Sequence, residues 1–217
     1  MSALWLGKIL LAYLLGSVSG SLMVGRLRGV DIRTQGSGNA GGTNAFRTQG
    51  LGFALATVLV DVGKGALAAW LGGLPIADDA GGLSPALLAS AAAILGHVWP
   101  AFHGFRGGKG AGTMIGALLV LWPFALVPVL LVWLLSLSLT GFVGLSTMLA
   151  GIALIPTAWF FRTDHDARWL IAAAVIAAFL VFTHRSNIRK MRDGQEYCFA
   201  KAQIWKRLLR QSARPPV

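Results

Sequence analysis

Apolar runs long enough to make seven helices, with nearly every polar or basic stretch falling between them, dominate the 217-residue chain. A helix that crosses roughly 30 Å of hydrocarbon needs about 20 mainly apolar residues. Blocks of that kind run from about Ala3 to Gly25, Leu51 to Leu74, Leu83 to Ala101, Phe142 to Phe161 and Ala167 to Thr183. A longer block, Ala111 to Leu139, contains Pro123 and Pro128, so the sequence predicts two helices there, each short for a full crossing. The expected fold class is all-α, a polytopic integral membrane protein of about seven transmembrane helices. Composition agrees: 12% of residues are charged, against about 25% in soluble domains. The chain carries 19 Lys and Arg against 8 Asp and Glu. These bases cluster between apolar blocks instead of spreading over a polar surface, which argues for a membrane and against nucleic acid.

Fifteen of the 19 basic residues fall on one side if the amino terminus lies outside. The positive-inside rule therefore predicts an outside amino terminus, a cytoplasmic carboxyl terminus and residence in the cytoplasmic membrane. Three polar segments then share the cytoplasmic face. No basic region precedes the first apolar run and Lys8 lies inside it, so that run reads as a span and not a secretory signal. Within it, Gly16 and Gly20, and Ser17 and Ser21, have the small-xxx-small spacing of closely packed membrane helices. The single cysteine, Cys198, excludes an intrachain disulfide.

The first polar segment runs from Gly36 to Arg47 and holds Ser37, Gly38, Asn39, Thr43 and Asn44. Glycine backbone N–H groups, hydroxyls and a guanidinium can cradle phosphate, although the same composition also suits a plain polar connection. The second, Gly96 to Gly110, ends in Arg106-Gly107-Gly108-Lys109-Gly110 at a predicted helix entrance. It is not a nucleotide-hydrolysing P-loop, because His103 and Gly110 stand where that motif needs Gly and Ser or Thr. Trp99, Phe102 and Phe105 suit an interfacial anchor, and His97 and His103 suit hydrogen bonding at that interface. The third begins at His184, with Asn187 three residues on; continued helix would put both on one face. A basic stop-transfer flank explains its arginines but not this pair.

Inside the second span, Asp61 and Lys64 have the i,i+3 spacing of an ion pair, and a structural role near the site is expected. From Tyr197 to Arg210 the pattern predicts an amphipathic helix on anionic lipid, so residues 1–196 form the main domain and 197–217 a basic tail. The scattered acidic residues and the absence of His-Glu-x-x-His predict no metal site, and no cofactor is implied.

Taken in order, the three segments resemble the motifs of the bacterial acyl-phosphate:glycerol-3-phosphate acyltransferases, the PlsY family. Gly36 to Arg47 resembles the first motif, Gly96 to Gly110 the second, and His184 to Arg189 with Glu196 the third, while Asp61-Val62-Gly63-Lys64-Gly65 is similar to a further element. Arg106 stands where the family often has lysine, and Gly42 where alanine is common. The resemblance implies a seven-span enzyme with a cytoplasmic active site that moves a fatty acyl group from acyl phosphate to the sn-1 hydroxyl of glycerol 3-phosphate, giving lysophosphatidic acid and phosphate. It implies catalytic or substrate-binding roles for Ser37, Arg47, Lys109, His184 and Asn187, and phosphate contacts for Gly38, Asn39, Thr43, Asn44, Gly107, Gly108 and Gly110. Asp61, Lys64, His97 and Glu196 take supporting roles. Acyl phosphate, glycerol 3-phosphate and membrane lipid are the implied partners, with an upstream acyl-phosphate-forming enzyme. Acyltransferase His-x4-Asp and hydrolase Gly-x-Ser-x-Gly patterns are absent. The alternative is a phosphate or organophosphate transporter, which would place its site near the midplane between repeats instead of at one face.

Overall fold

The computed structural model describes residues 3–74, 84–162 and 167–205. Its helices are α1 (Ala3–Gly16), α2 (Gly20–Leu27), α3 (Gly42–Gln49), α4 (Leu51–Gly73), α5 (Pro85–Val98), α6 (Ala111–Leu121), α7 (Leu126–Thr140), α8 (Val143–Phe161), α9 (Ala167–Thr183) and α10 (Arg185–Arg192). No strand occurs among the described residues. Among the described residues, four stretches are long and apolar enough to cross a membrane: Leu51–Gly73, Pro85–His103, Pro123–Thr140 and Val143–Phe161. Two further pairs pass the same test together but are bent, α1 with α2 by 48° and α9 with α10 by 52°.

Three expectations change here. The first span is broken, because Val18 and Ser19 leave helical geometry between α1 and α2. Gly16 and Gly20 consequently serve different neighbours and not one common face: a methyl at Gly16 would overlap the Ala93 backbone of α5, and one at Gly20 the Thr57 backbone of α4. The long block does divide at Pro123, but unequally. α6 has 11 residues, about 16 Å of rise and half a bilayer core, whereas Pro123–Thr140 has 18. Pro128 does not stop α7 because it lies in the first turn, where an amide has no intrahelical partner to lose. Lastly, helicity does not run straight through His184, which sits at the bend between α9 and α10.

The chain forms two compact units, divided between Pro123 and Phe124. In the first, α4 packs against α1, α2, α3, α5 and α6. Glycine makes the closest approaches possible: methyls at Gly65 and Gly116 would overlap the Thr113 and Val62 carbonyls across the α4/α6 seam, the close backbone contact typical of membrane helices. Leu22, Ile32, Ala40, Ala45, Phe53 and Ala54 form a buried cluster beneath the first polar segment. In the second unit α8 packs between α7 and α9, and Trp133 Nε1 donates to Thr147 Oγ1 at 3.3 Å.

The expected amphipathic tail helix is not formed where it was to begin. Residues from Tyr197 are irregular up to a short 3-10 turn at Ala200–Ala202. The Phe199 N–H donates to the Gly141 carbonyl at 2.9 Å, and Gln203 Nε2 to the Thr140 carbonyl at 2.8 Å. Those carbonyls close α7, where the last turn has no intrahelical donors, so the strap satisfies them in place of continuing as helix. Residues 206–210 of that expectation lie outside the described residues.

Candidate active site

The first polar segment is only partly a loop. Gly36 and Gly38 take φ of +55° and +75°, a region open to glycine and strained for most side chains, and turn the chain at Ser37. From Gly42 the segment is α3, so Thr43, Asn44 and Arg47 are helical residues. Asn44 is 1% exposed. Its Oδ1 accepts the Ser37 N–H at 2.9 Å, and its Nδ2 donates to the carbonyls of Ile32 at 3.1 Å and Gln35 at 3.0 Å. Both amide hydrogens are thereby used, which corrects the expectation of a phosphate contact: Asn44 braces the turn that presents Ser37. Ser37, Asn39, Thr43 and Arg47 remain partly accessible, and Gly38 is exposed.

The second segment closes on itself. After α5 the chain runs through Pro100 and a 3-10 turn at Ala101–His103, then returns so that the N–H groups of Gly107 and Gly108 donate to the carbonyls of Val98 and His97 at 3.2 and 3.1 Å. Gly110, at φ +90°, starts α6. Lys109 therefore stands at a helix entrance, half-buried between two glycines. Trp99, Phe102 and Phe105 are exposed.

The two segments meet at Gly108. A methyl there would overlap the His97 ring and press on the Ala40 carbonyl of the first segment. A second tie had not been foreseen: Arg33 Nη1 donates to the carbonyls of His103 at 2.8 Å and Arg106 at 3.2 Å. Asp31 grips the same guanidinium at 2.8 Å. That hydrogen bond holds the Asp31 carboxyl below its ordinary range and raises Arg33. Only the Asp-x-Arg spacing around buried Ile32 hints at this clamp in the sequence; its targets lie about 70 residues away.

Beneath these turns Asp61, Lys64 and His97 are each 3–4% exposed. Lys64 Nζ is 3.2 Å from Asp61 Oδ1 and donates to the Gly16 and Val18 carbonyls at 2.8 and 2.7 Å. The same carboxylate oxygen accepts the Gly20 N–H at 3.1 Å. His97 Nδ1 lies 3.4 Å from it, an electrostatic contact long for a hydrogen bond.

In the second unit, His184 Nδ1 is 2.8 Å from the Leu180 carbonyl. A carbonyl can only accept, so a neutral ring carries its proton on Nδ1 and presents Nε2 as the basic nitrogen. Asn187 Nδ2 donates to Glu196 Oε1 at 2.7 Å, and Gly144 of α8 leaves the space this side chain fills. No group of three His, Cys, Asp or Glu suited to a metal occurs among the described residues.

A family model described as glycerol-3-phosphate acyltransferase matches residues 6–194. The chain belongs to this family. The glycerol-3-phosphate acyltransferase of Bacillus subtilis (strain 168) is 42% identical over 189 residues, covering 87% of this chain and 94% of that protein. That of Escherichia fergusonii is 36% identical over 220 residues and covers all of both. Among solved structures, PlsY (YgiH), an integral membrane glycerol 3-phosphate acyltransferase, matches in its glycerol 3-phosphate form at TM-score 0.82 and 30% identity, over 93% of this chain and 98% of that one. Its lysophosphatidic acid form matches at 0.81, with the same identity and coverage. This chain is likewise an integral membrane protein, multi-pass by its apolar helices and with helices as the regular structure of its described residues.

Proposed function

We propose that this acyltransferase forms lysophosphatidic acid by moving a fatty acyl group from acyl phosphate to the sn-1 hydroxyl of glycerol 3-phosphate, with release of inorganic phosphate. The observation that carries the reading at residue level is the meeting of two glycine-rich, basic segments at Gly108, the kind of surface two phosphate-bearing substrates require. The donor carbonyl is already activated, so a held alcohol can attack it without a protein nucleophile. The new ester C–O bond forms, the acyl C–O bond to phosphate breaks, and the hydroxyl proton goes to a substrate phosphate oxygen. What the protein supplies is orientation and charge stabilisation. Lys109, Arg47, Thr43, Asn39 and the backbone of Gly110 hold phosphate and offset charge on the leaving group, while Gly38, Gly107 and Gly108, expected as phosphate contacts, have their N–H groups bonded to the Gln35, Val98 and His97 carbonyls and shape the turns instead. Ser37, His184 and Asn187 orient the glycerol phosphate. His184 Nε2 is the second candidate to take the proton. The reaction is assigned to the cytoplasmic face, with the amino terminus outside and the carboxyl terminus inside, on the distribution of Lys and Arg. Membrane lipid and an upstream enzyme that forms acyl phosphate are the proposed partners.

The test is product formation by detergent-purified protein given labelled glycerol 3-phosphate and palmitoyl phosphate, with palmitoyl-CoA and an acyl carrier protein thioester in parallel. Lysophosphatidic acid from acyl phosphate alone supports the reading. Product only from a thioester overturns the donor. No product from folded protein in lipid, with phosphate flux in proteoliposomes, points to a transporter.

A further inference from the structure

Ion pairs inside a membrane usually fasten one helix to another. The Asp61–Lys64 pair lies within α4 and fastens something else. The break between α1 and α2 frees backbone groups that hydrocarbon cannot solvate, and Lys64 takes the Gly16 and Val18 carbonyls while Asp61 takes the Gly20 N–H. The same Asp61 oxygen faces His97 Nδ1. The opposite edge of that ring, at Nε2, is packed against Gly108, whose own N–H is bonded to the His97 carbonyl. One buried path thus runs from the broken first helix to the residue next to Lys109.

We propose that His97, faced by the Asp61 oxygen, is a positioning residue for acyl transfer, and that it sets the Gly107-Gly108-Lys109 turn. The inference rests on the acyl-transfer reading above. The ring fills the space a Gly108 side chain would need, and so fixes how near the turn comes to the Ala40 carbonyl of the first segment. Its Nδ1 faces the Asp61 oxygen, and the Gly20 N–H fixes that oxygen independently of Lys64. The ion pair is therefore more than a stabilising contact: loss of the oxygen that faces His97 should be felt at Lys109 even when the helices stay packed. Charge itself is dispensable, because an amide oxygen at position 61 can still accept the Gly20 N–H and face the ring.

The decisive comparison is between two double variants that leave no lone buried charge. Asp61→Leu with Lys64→Met removes the oxygen; Asp61→Asn with Lys64→Met keeps it. The first should lower kcat by about tenfold or more with KM for glycerol 3-phosphate changed by less than about threefold, since misplacing an orienting group slows chemistry. The second should recover most of that loss. Equal kcat in the two variants, whether both normal or both depressed, overturns the proposal. If the leucine variant fails to fold, His97→Ala takes its place, with His97→Asn, whose amide can still face Asp61, as its conservative partner. Amide hydrogen exchange at Gly107 and Gly108 supplies a readout independent of turnover. Faster exchange there in folded His97→Ala, with α8 amides unaffected, supports the proposal, and unchanged exchange overturns it. Because exchange needs no substrate, failure of the acyl-transfer reading in wild-type protein stays distinguishable from failure of this one.

Discussion

Asn44 Oδ1 accepts the backbone N–H of Ser37 at 2.9 Å, so a side chain from α3 fixes the turn that presents a proposed substrate-binding hydroxyl. Replacing Asn44 with Ala leaves that N–H and the Ile32 and Gln35 carbonyls without their partner in a buried site. The cost is about 1–3 kcal/mol. A lowered unfolding midpoint in detergent and a raised KM for glycerol 3-phosphate are expected. Asn44→Asp keeps the acceptor but turns two donors into repulsion, so it should be no better than Ala. A normal KM in folded Asn44→Ala would remove the residue from the site's framework.

The α4/α6 seam predicts a contrast among glycines of one neighbourhood. Gly65→Ala and Gly116→Ala each drive a methyl into a backbone carbonyl and should destabilise by about 1–3 kcal/mol or more, as overpacking does. Gly52 and Gly63, also on α4, have nothing within 4 Å of the position a methyl would take. There Ala should be neutral or stabilising by up to about 1 kcal/mol. Thermal midpoints of the four variants give the check, and similar losses in all four would mean that propensity and not contact governs the helix.

The ends of the helices could be read in the sequence to within a few residues because hydrophobic length dictates them, and the division at Pro123 because proline dictates it, but the break at Val18 and Ser19 could not. The Gly and Ser residues from Gly16 to Ser21 suit close helix packing as well as a break; the break is sustained because Lys64 and Asp61 satisfy the freed backbone groups from another helix. Helix α3 was hidden by its glycines, although Gly41 before it and Gly50 after it, at φ +83°, bound it as caps. The chemical character of each segment was legible in residue type and spacing. Its division of labour was not: Asn44 has the composition of a ligand and the contacts of a brace. Arg33 has the composition of a membrane-flanking base, yet clamps the turn at His103 to Arg106.

That clamp has a pH signature. Asp31 titrates below its ordinary value of 3.8, chiefly through its hydrogen bond with Arg33. A depressed carboxyl contributes stability that is complete above the ordinary value and is lost as pH falls through the folded one. The pair is partly exposed, so its worth is under about 1 kcal/mol. The midpoint difference between wild type and Asp31→Asn should hold steady from neutral pH to about 4, then shrink toward zero in stronger acid. A difference that vanished already near pH 6 would assign the effect to another group.

Asn187 and Glu196 form a donor-acceptor pair at 2.7 Å, which separates two substitutions that look alike. Glu196→Gln retains an acceptor and should keep most of the activity. Glu196→Ala releases the Asn187 amide from its fixed orientation and should cost about tenfold or more in kcat/KM, in line with the loss of an orienting contact. Steady-state rates for both variants decide it; equal rates would show that Glu196 does not orient Asn187.

Lys109 offers the sharpest test of the site itself. Gly108 on one side is pinned by His97 and the Ala40 carbonyl, and Gly110 on the other holds φ +90° to start α6, so the backbone at 109 is set by its neighbours. Lys109→Ala should therefore leave a folded protein. Turnover should fall by about 10²–10³ or more, the scale for removing a group that stabilises developing charge. Lys109→Arg keeps the charge but replaces a compact ammonium with a planar fork, so it should recover part of the rate and not all. Near-normal turnover in Lys109→Ala would take the second segment out of the chemistry and leave it as an interfacial anchor, a role for which Trp99, Phe102 and Phe105 would suffice.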